Sequence, residues 1–593
     1  MGAAPDANTA GAGSPLPANI DTGTFQEGRT TVGPITTGRM TGGPRRGAGK
    51  AALAAALAGV ILLTPVIGDG RARAAGLAAA ARPVFPGPGY RVVLPAGWAV
   101  RQRTELAVEV RRPDGRAAID IYTQPLPEKS FGEFVTYSNK FVFAPRGALT
   151  VLAAWPADFW AAYGYAAPSS GSPSGAAPVP GALPPVPGAC VAGLDWVRPA
   201  ADIRDLNRVR EVNYGVPGAC YTFVLTGREL GFAEAAAALD SMLATFEPAP
   251  LPADPAGEWL ARRAAAGASA VAAVGLPVPE FRYAGPKRLH VQLPPSGLVW
   301  GMFDGNAPYD LGPLKDLEAY LKWHFDFVMT YRDFSAPFPP EALRAAALEN
   351  RLCMITWQPH FIADLDGPPL IPAIVAGDYD AYIRGWAEAV REFGQPVLLR
   401  FANEMNGDWD PWCAFYYGFD HDLFIRAWRR VHDIFAAAGA ENALWVWNPH
   451  DRSYPGFAWN DPHLYYPGGR YVDWVGLTGY NTGPRAGDPW RSFEEIYRPV
   501  YDRYRALYPQ KPLLITEFAC DTVGGDKAAW IRDAFQALKG YPAIKLAVWF
   551  NFPWWQWEYE LGKPPAALDA FGGGLLDPYF STSAVFWWPR GFD

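Results

Sequence analysis

Two short stretches end an apolar run on a glutamate. RFANEMNGDWDPW, Arg400 to Trp412, follows QPVLL, and LLITEFA spans Leu513 to Ala519. A carboxylate at the mouth of a buried strand costs free energy unless it has partners, so Glu404 and Glu517 are either satisfied structural acids, bonded to Arg400 or Tyr480, or working ones. Two carboxylates facing one cleft can open a glycosidic bond. One, kept protonated, donates to the leaving oxygen and later activates water; the other attacks the anomeric carbon. Their surroundings must then push their proton affinities apart. In that chemistry Glu404 is the acid/base and Glu517 the nucleophile.

Both glutamates need strands to carry them. From about residue 291 the pattern alternates short apolar strands with amphipathic helices: LVWGMFD (298–304), FDFVMTY (325–331), LCMITW (352–357), VLLRFAN (397–403), LWVWN (444–448), DWVGLTGY (473–480), LLITE (513–517) and IKLAVWFN (544–551). Asp378 precedes the helical stretch YDAYIRGWAEAVREF, which stops at Gly394. Asp420 precedes another, which puts Phe424, Ala427, Trp428, Val431 and Phe435 on one stripe and stops at Gly439. This alternation predicts an α/β fold, a (β/α)8 TIM barrel, over 291–593. A doubly wound open sheet is the alternative, but it requires a Gly-rich phosphate loop after the first strand, and GMFDGNAPYD is not one. In a barrel, function gathers at the C-terminal strand ends. Those ends carry Asp304, Tyr331 with Asp333, Trp357 with His360, Asn403-Glu404, Asn448, Tyr480-Asn481, Glu517, and Trp549 with Asn551, of which only the fourth and seventh strands offer glutamate.

The remainder of the 593 residues bounds the role. A net charge of -7 and the lack of a basic block in the folded part argue against nucleic acid as a partner. Aromatic residues make up 14% of the chain, which suits core packing and, beside carboxylates and amides, stacking of sugar rings. The histidines form no H-E-x-x-H pattern and no Cys/His cluster, so neither a metal nor a cofactor is expected. Residues 1–46 read as a disordered extension and 47–75 as a signal peptide or membrane anchor, built on the apolar run Ala51 to Gly68 and the ARA at Ala72–Ala74. An extracellular or cell-surface location follows, with membrane contact only through that segment. Residues 83–247 read as a small α+β domain of unknown role. It contains a hairpin at Pro113-Asp114-Gly115, a low-complexity loop over 166–188, the strand CYTFVLTG and a closing helix. A linker and connecting helix fill 248–290. VPGAC occurs twice, and its cysteines, Cys190 and Cys220, are close enough in pattern to pair; Cys353 reads as a buried thiol.

RFANEMNGDWDPW and LLITEF, with VDWVGLTGYN between them, resemble glycoside hydrolase family 26, a retaining clan-A family known chiefly for β-mannanases; the resemblance covers about 295–593. It implies that Glu404 is the acid/base and Glu517 the nucleophile. It further implies that Arg400 orders the site, Trp409 lines it, Tyr480 hydrogen-bonds the nucleophile, and Trp549 lies under the sugar at the cleavage point. TWQPH at 356–360 resembles the family's third-strand segment, giving Trp357 and a displaced His360, with Asn448 supporting. The family has His before the acid/base, whereas this chain has Asn403, the wider clan pattern in which the amide binds the sugar 2-hydroxyl; Phe550 is a second departure. VLPAGW and LDSMLATF in the small domain resemble the lumenal extrinsic photosystem protein superfold, which implies no activity. The expectation is a monomeric, endo-acting β-glycosidase whose partner is a polysaccharide, mannan first, then mixed-linkage glucan and xylan. The alternatives are a catalytically silent polysaccharide-binding barrel and a hydrolase of the cell's own exopolysaccharide. Trp554, Trp555 and Trp557 in PWWQWEYE read either as an outer sugar subsite or as loop packing. Asp408 and Asp521 read as turn caps or as binders of sugar hydroxyls, Glu558 and Glu560 as surface acids, and His450-Asp451 as a loop pair or a sugar-binding one.

Overall fold

The computed structural model describes residues 84–126, 130–143, 149–165, 183, 186–198, 205–272, 290–292, 297–580 and 585–587. The N-terminal extension, the apolar segment Ala51–Gly68 and most of the 166–188 loop lie outside these residues. Among the described residues, no helix is long and apolar enough to cross a membrane.

Eight parallel strands close into a barrel in sequence order: β1 Val299–Phe303, β2 Phe327–Asp333, β3 Leu352–Gln358, β4 Val397–Phe401, β5 Ala443–Trp447, β6 Trp474–Asn481, β7 Leu513–Cys520 and β8 Ile544–Phe550. β8 pairs with β1 to complete the ring. This is the expected (β/α)8 fold, and each strand lies within three residues of the run read from sequence. The strands carry almost unbroken apolar runs because a barrel strand is covered on both faces, by side chains within and helices without. The helices show the complementary pattern. Asp380–Phe393 buries Ile383, Trp386, Ala387, Val390 and Phe393 at three- and four-residue spacing and ends at Gly394, whose φ of 75° suits glycine. His421–Ala437 starts at Asp420, whose carboxylate accepts from the Leu423 amide at 2.9 Å.

The small domain is a seven-stranded antiparallel sheet, in the spatial order Ala99–Gln102, Ala107–Arg111, Ala117–Pro125, Ala219–Gly227, Arg208–Val216, Cys190–Val197, Thr150–Trp155, with the helix Phe232–Leu243 on one face. The hairpin at Pro113-Asp114-Gly115 is present, with Gly115 at φ 69°. Cys190 and Cys220 are free thiols, and the pairing read from the repeated VPGAC does not form. Both register with Gly215 from opposite sides of the same strand, which separates them by two strand spacings, about 10 Å, too far for a disulfide.

The sheet packs on the barrel through its other face. Arg503 reaches Glu105 with both η nitrogens, at 2.6 and 3.0 Å, and Arg111 meets Asp422 at 2.7 Å. Tyr137 donates to Asp408 at 2.7 Å, and Trp459 donates to Ser138 at 3.2 Å. Asp408 and Trp459 lie on the loops after β4 and β5, Asp422 on the helix after β4 and Arg503 on the helix after β6. The domain therefore holds two of the loops that surround the barrel mouth.

Candidate active site

Arg400 is the organising group. It points inward from β4 in the same layer as Thr356, with which it is in register on β3. It is fully buried. Its Nε donates to Asn448 Oδ1 at 2.5 Å, and its η nitrogens donate to Thr356 at 3.1 Å and Thr478 at 3.1 Å. Nη1 also donates to Glu517 Oε1, and Nη2 lies 3.6 Å from Glu404 Oε1. One guanidinium thus touches both glutamates, which places the two carboxylates within a single side chain's reach.

Each glutamate arrives there by a local irregularity. β4 ends at Phe401, and the chain then turns sharply through Ala402 at φ 46° and Glu404 at φ 50°, both non-glycine residues in the left-handed region. Such conformations cost on the order of 1–3 kcal/mol each and persist only where the surroundings over-determine them. Here the Glu404 amide donates to the Asn448 carbonyl at 2.7 Å and the Ala402 amide to the Trp357 carbonyl at 3.0 Å. On β7 the register against β6 skips Thr516: Leu477 pairs with Ile515 and Thr478 with Glu517. That one-residue bulge aims Glu517 into the barrel.

The two carboxylates meet different surroundings. Glu517 accepts from Arg400 and Tyr331 on Oε1 and from Tyr480 on Oε2. Acceptance from three donors on both oxygens is the pattern of an ionised carboxylate. Burial, and then the negative charge of Glu517, push both phenols well above the ordinary tyrosine range, so they remain donors. Among the described residues, Glu404 accepts a hydrogen bond only from the Trp409 indole, at 3.2 Å on Oε2. Burial raises its proton affinity above the ordinary value, and Glu517 adds to this, while His450, Arg400 and the Trp409 bond pull the other way. The two carboxylates are thereby set apart by environment.

The flanking residues divide into those the structure brings to the site and those it does not. Asn448 orients Arg400 and accepts from Thr478 at 3.1 Å. Asn403 accepts from Gln358 at 3.3 Å, and among the described residues its Nδ2 donates to no protein group, which leaves that donor for a ligand. Trp409 lies edge-on to His450 at 5.2 Å and tilted against Tyr454 at 5.2 Å. A Cβ on Gly407 would stand 2.4 Å from the Trp409 ring, so this close approach requires glycine there. His360 is half-buried beside Trp412, which donates to the Asn403 carbonyl at 2.6 Å. His360 therefore backs the Asn403 turn, burial lowers its pKa, and its Nε2 has no partner among the described residues.

Two expectations need correction. Trp357 is in register with Phe401 and, like it, faces outward, stacked on Trp386 at 4.3 Å in the helix layer. Trp549 also faces the helices. It packs on Phe518, Trp530 and Phe571 and donates to the Tyr559 carbonyl at 3.0 Å. Phe550, one residue on, takes the inward place, edge-on to Tyr480 at 5.9 Å. In a strand a shift of one residue reverses the face.

Three groups gain a place that the sequence did not give them. Tyr331, named only as a strand end, is a direct partner of Glu517. Asp408 is bonded from the small domain by Tyr137. His450 and Asp451 are 3.0 Å apart beside Trp409, and Arg491 closes on Asp451 at 2.8 Å. Burial pushes the His450 pKa down, but Asp451, with Glu404 and the Arg452 carbonyl, outweighs it and leaves the imidazole raised. The signal for all three is position alone: each lies at or just past a barrel strand's C-terminal end.

Residues 373–500, which hold β4, Glu404 and β6, match the family model described as Glycosyl hydrolase family 26. The barrel is similar to glycosyl hydrolase family 26. The chain also aligns with curated relatives. "Endoglucanase H" of Acetivibrio thermocellus is 32% identical over 300 residues, 48% of this chain and 31% of that protein. "Mannan endo-1,4-beta-mannosidase" of Bacillus subtilis is 31% identical over 185 residues, 30% of this chain and 43% of that protein. The chain thus spans less than half the length of these relatives. A solved GH26 beta-mannanase from Bacteroides ovatus superposes at a TM-score of 0.39 and 14% identity, over 50% of this chain and 95% of that one. At that score the likeness bears on neither substrate nor mechanism.

Proposed function

We propose that the family 26 barrel is a retaining β-glycosidase that cleaves a β-linked polysaccharide internally. The observation that carries this reading is the pair of unlike carboxylates on one guanidinium, Glu517 held by three donors and Glu404 held by one indole, with its proton affinity raised first by burial. Glu404 donates its proton to the glycosidic oxygen as a Glu517 oxygen attacks the anomeric carbon. The leaving chain departs and a glycosyl ester remains on Glu517. Glu404, now a carboxylate, takes a proton from water as that water attacks the same carbon, and Glu517 is released. Two inversions retain the configuration. The unclaimed Nδ2 of Asn403 is suited to the sugar 2-hydroxyl, where its bond strengthens as the transition state forms.

Mannan is the leading substrate, supported by the mannosidase relatives. A β-glucan is the second reading, favoured by the 300-residue alignment with an endoglucanase and by Asn403 in place of the family's histidine. Export of the chain on its Ala51–Gly68 segment belongs to the same proposal, and N-terminal sequencing of the mature protein tests it. For the activity, the full chain and a Glu517→Ala variant are incubated with β-mannan, glucomannan, mixed-linkage glucan and xylans, and the anomeric configuration of the first products is followed by NMR. Retained products that are absent with the variant support the reading, and the polymer cleaved names the substrate. Inverted products, or equal turnover by the variant, overturn it.

A further inference from the structure

The two exposed tryptophans beside the barrel mouth are not used by the chemistry above. Trp554 and Trp555 are 37% and 55% exposed, on a hairpin in which Pro553 pairs with Glu558 and Trp554 with Trp557. Large exposed aromatic surface is costly in water and marks a contact site when it is grouped and fixed. This hairpin is fixed. Arg485 Nη1 donates to the Gln556 carbonyl at 3.0 Å, and Gln556 Nε2 donates back to the Arg485 carbonyl at 3.0 Å. The Glu558 amide donates to Asp521 at 2.9 Å, and Lys527, itself buried, donates to the Glu558 carbonyl at 2.7 Å. The Trp555-Gln556 turn holds Trp555 at φ 51°, in the left-handed region.

The hairpin is also continuous with the nucleophile. Trp555 lies edge-on to Trp557 at 5.5 Å, Trp557 is parallel to Tyr559 within 6° at 6.1 Å, and Tyr559 is stacked on Tyr480 at 5.0 Å. Tyr480 donates to Glu517. From the other side Trp554 stands edge-on over Phe550 at 6.3 Å, and Phe550 meets Tyr480. An aromatic row therefore runs from solvent to the reacting centre, over one buttressed loop.

We infer that the hairpin Pro553–Glu558 is a sugar-binding subsite, in which Trp555 and Trp554 stack against pyranose rings of the polysaccharide chain that extends from the cleavage point. The occupant follows from the continuity: a chain with one residue at Glu517 must leave the mouth over some part of the rim, and this part offers flat, rigid, apolar faces with Arg485 and Glu558 beside them for hydroxyls. A ring fixed by its own loop loses little entropy on binding, so its contact area converts efficiently into affinity. The inference rests on the glycosidase reading, and its test separates the two.

Full-length protein, Trp555→Ala and Trp555→Phe are run in native gels containing each soluble polysaccharide, with hydrolysis measured in parallel. Trp555→Ala is expected to weaken retention by the polymer that binds the wild type on the order of 10-fold and to raise KM similarly, with kcat altered by about twofold at most; Trp555→Phe restores most of the affinity. Hydrolysis with retention that is indifferent to Trp555 overturns the subsite and leaves the glycosidase. Retention that depends on Trp555, without hydrolysis of any polymer, supports the subsite and overturns the glycosidase. Absence of both retention and hydrolysis overturns both.

Discussion

Trp549 is where the family resemblance and the structure disagree, and Trp549→Phe decides between them. In the structure the change acts on packing. It deletes the buried indole N–H that donates to the Tyr559 carbonyl at 3.0 Å, a loss of about 1–2 kcal/mol because the carbonyl is left without that partner. It also opens a void of roughly 40 Å³ against Phe518, Trp530 and Phe571, which at about 24 cal/mol per Å³ adds close to 1 kcal/mol. A total of about 2–3 kcal/mol lowers Tm by roughly 5–10 °C in a domain of this size. The barrel mouth is reached only indirectly, through Tyr559 stacked on Tyr480, so kcat/KM should fall by about threefold or less. Phe550→Ala is the comparator. It removes the ring that meets Tyr480 and Phe303 at the mouth and should lower kcat/KM by on the order of 10-fold or more. Thermal unfolding and polymer kinetics read both. A Trp549→Phe protein with wild-type Tm and a large loss of kcat/KM would refute the outward placement and restore the tryptophan to the sugar.

Tyr480→Phe should cost more kcat/KM than Tyr331→Phe, because Tyr480 is, among the described residues, the one side-chain donor on Glu517 Oε2, whereas Oε1 keeps Arg400; a bond to a charged acceptor is worth about 1.5–3 kcal/mol, or roughly 10- to 150-fold, and equal or reversed losses contradict the arrangement. His450, whose pKa is raised, pulls the Glu404 proton affinity down when it is protonated, so His450→Gln should move the basic limb of the kcat/KM profile to higher pH; a shift to lower pH or none refutes that coupling. Burial raises Glu211 in the small domain to about 7, against an ordinary glutamate in the unfolded chain, so its neutral form stabilises the fold below the unfolded value and that contribution is lost as pH rises through about 7. Glu211→Gln should flatten the fall in Tm between about pH 5 and 7, and an unaltered slope would contradict the assignment.

The barrel was readable because each of its strands is apolar on both faces and stands out between amphipathic helices. Glu404 and Glu517 were readable because, among the eight runs, only the fourth and seventh end on glutamate. The same uniformity hid which way a side chain faces. A strand buried on both sides shows no alternation, so Trp357 and Trp549 could not be told from inward residues, and each proved one residue out of phase with the site. The bulge at Thr516 leaves no trace in composition, yet it aims Glu517. Cys190 and Cys220 share a motif but lie on opposite sides of one strand, a matter of register that the repeat does not encode. His450-Asp451 and Tyr331 needed long-range contacts to acquire partners, as did the small domain, whose Tyr137 reaches the Asp408 beside Trp409.

The proposed nucleophile can be tested directly. An activated 2-deoxy-2-fluoro glycoside of the sugar that the enzyme cleaves slows both steps, and slows the second more, so the glycosyl ester accumulates. Mass spectrometry of the peptides from the inactivated full-length chain should find one added sugar on the peptide containing Glu517, and none with Glu517→Ala. A sugar on any other carboxylate, or continued turnover with inverted products and no adduct, would contradict the assignment of Glu517 and Glu404.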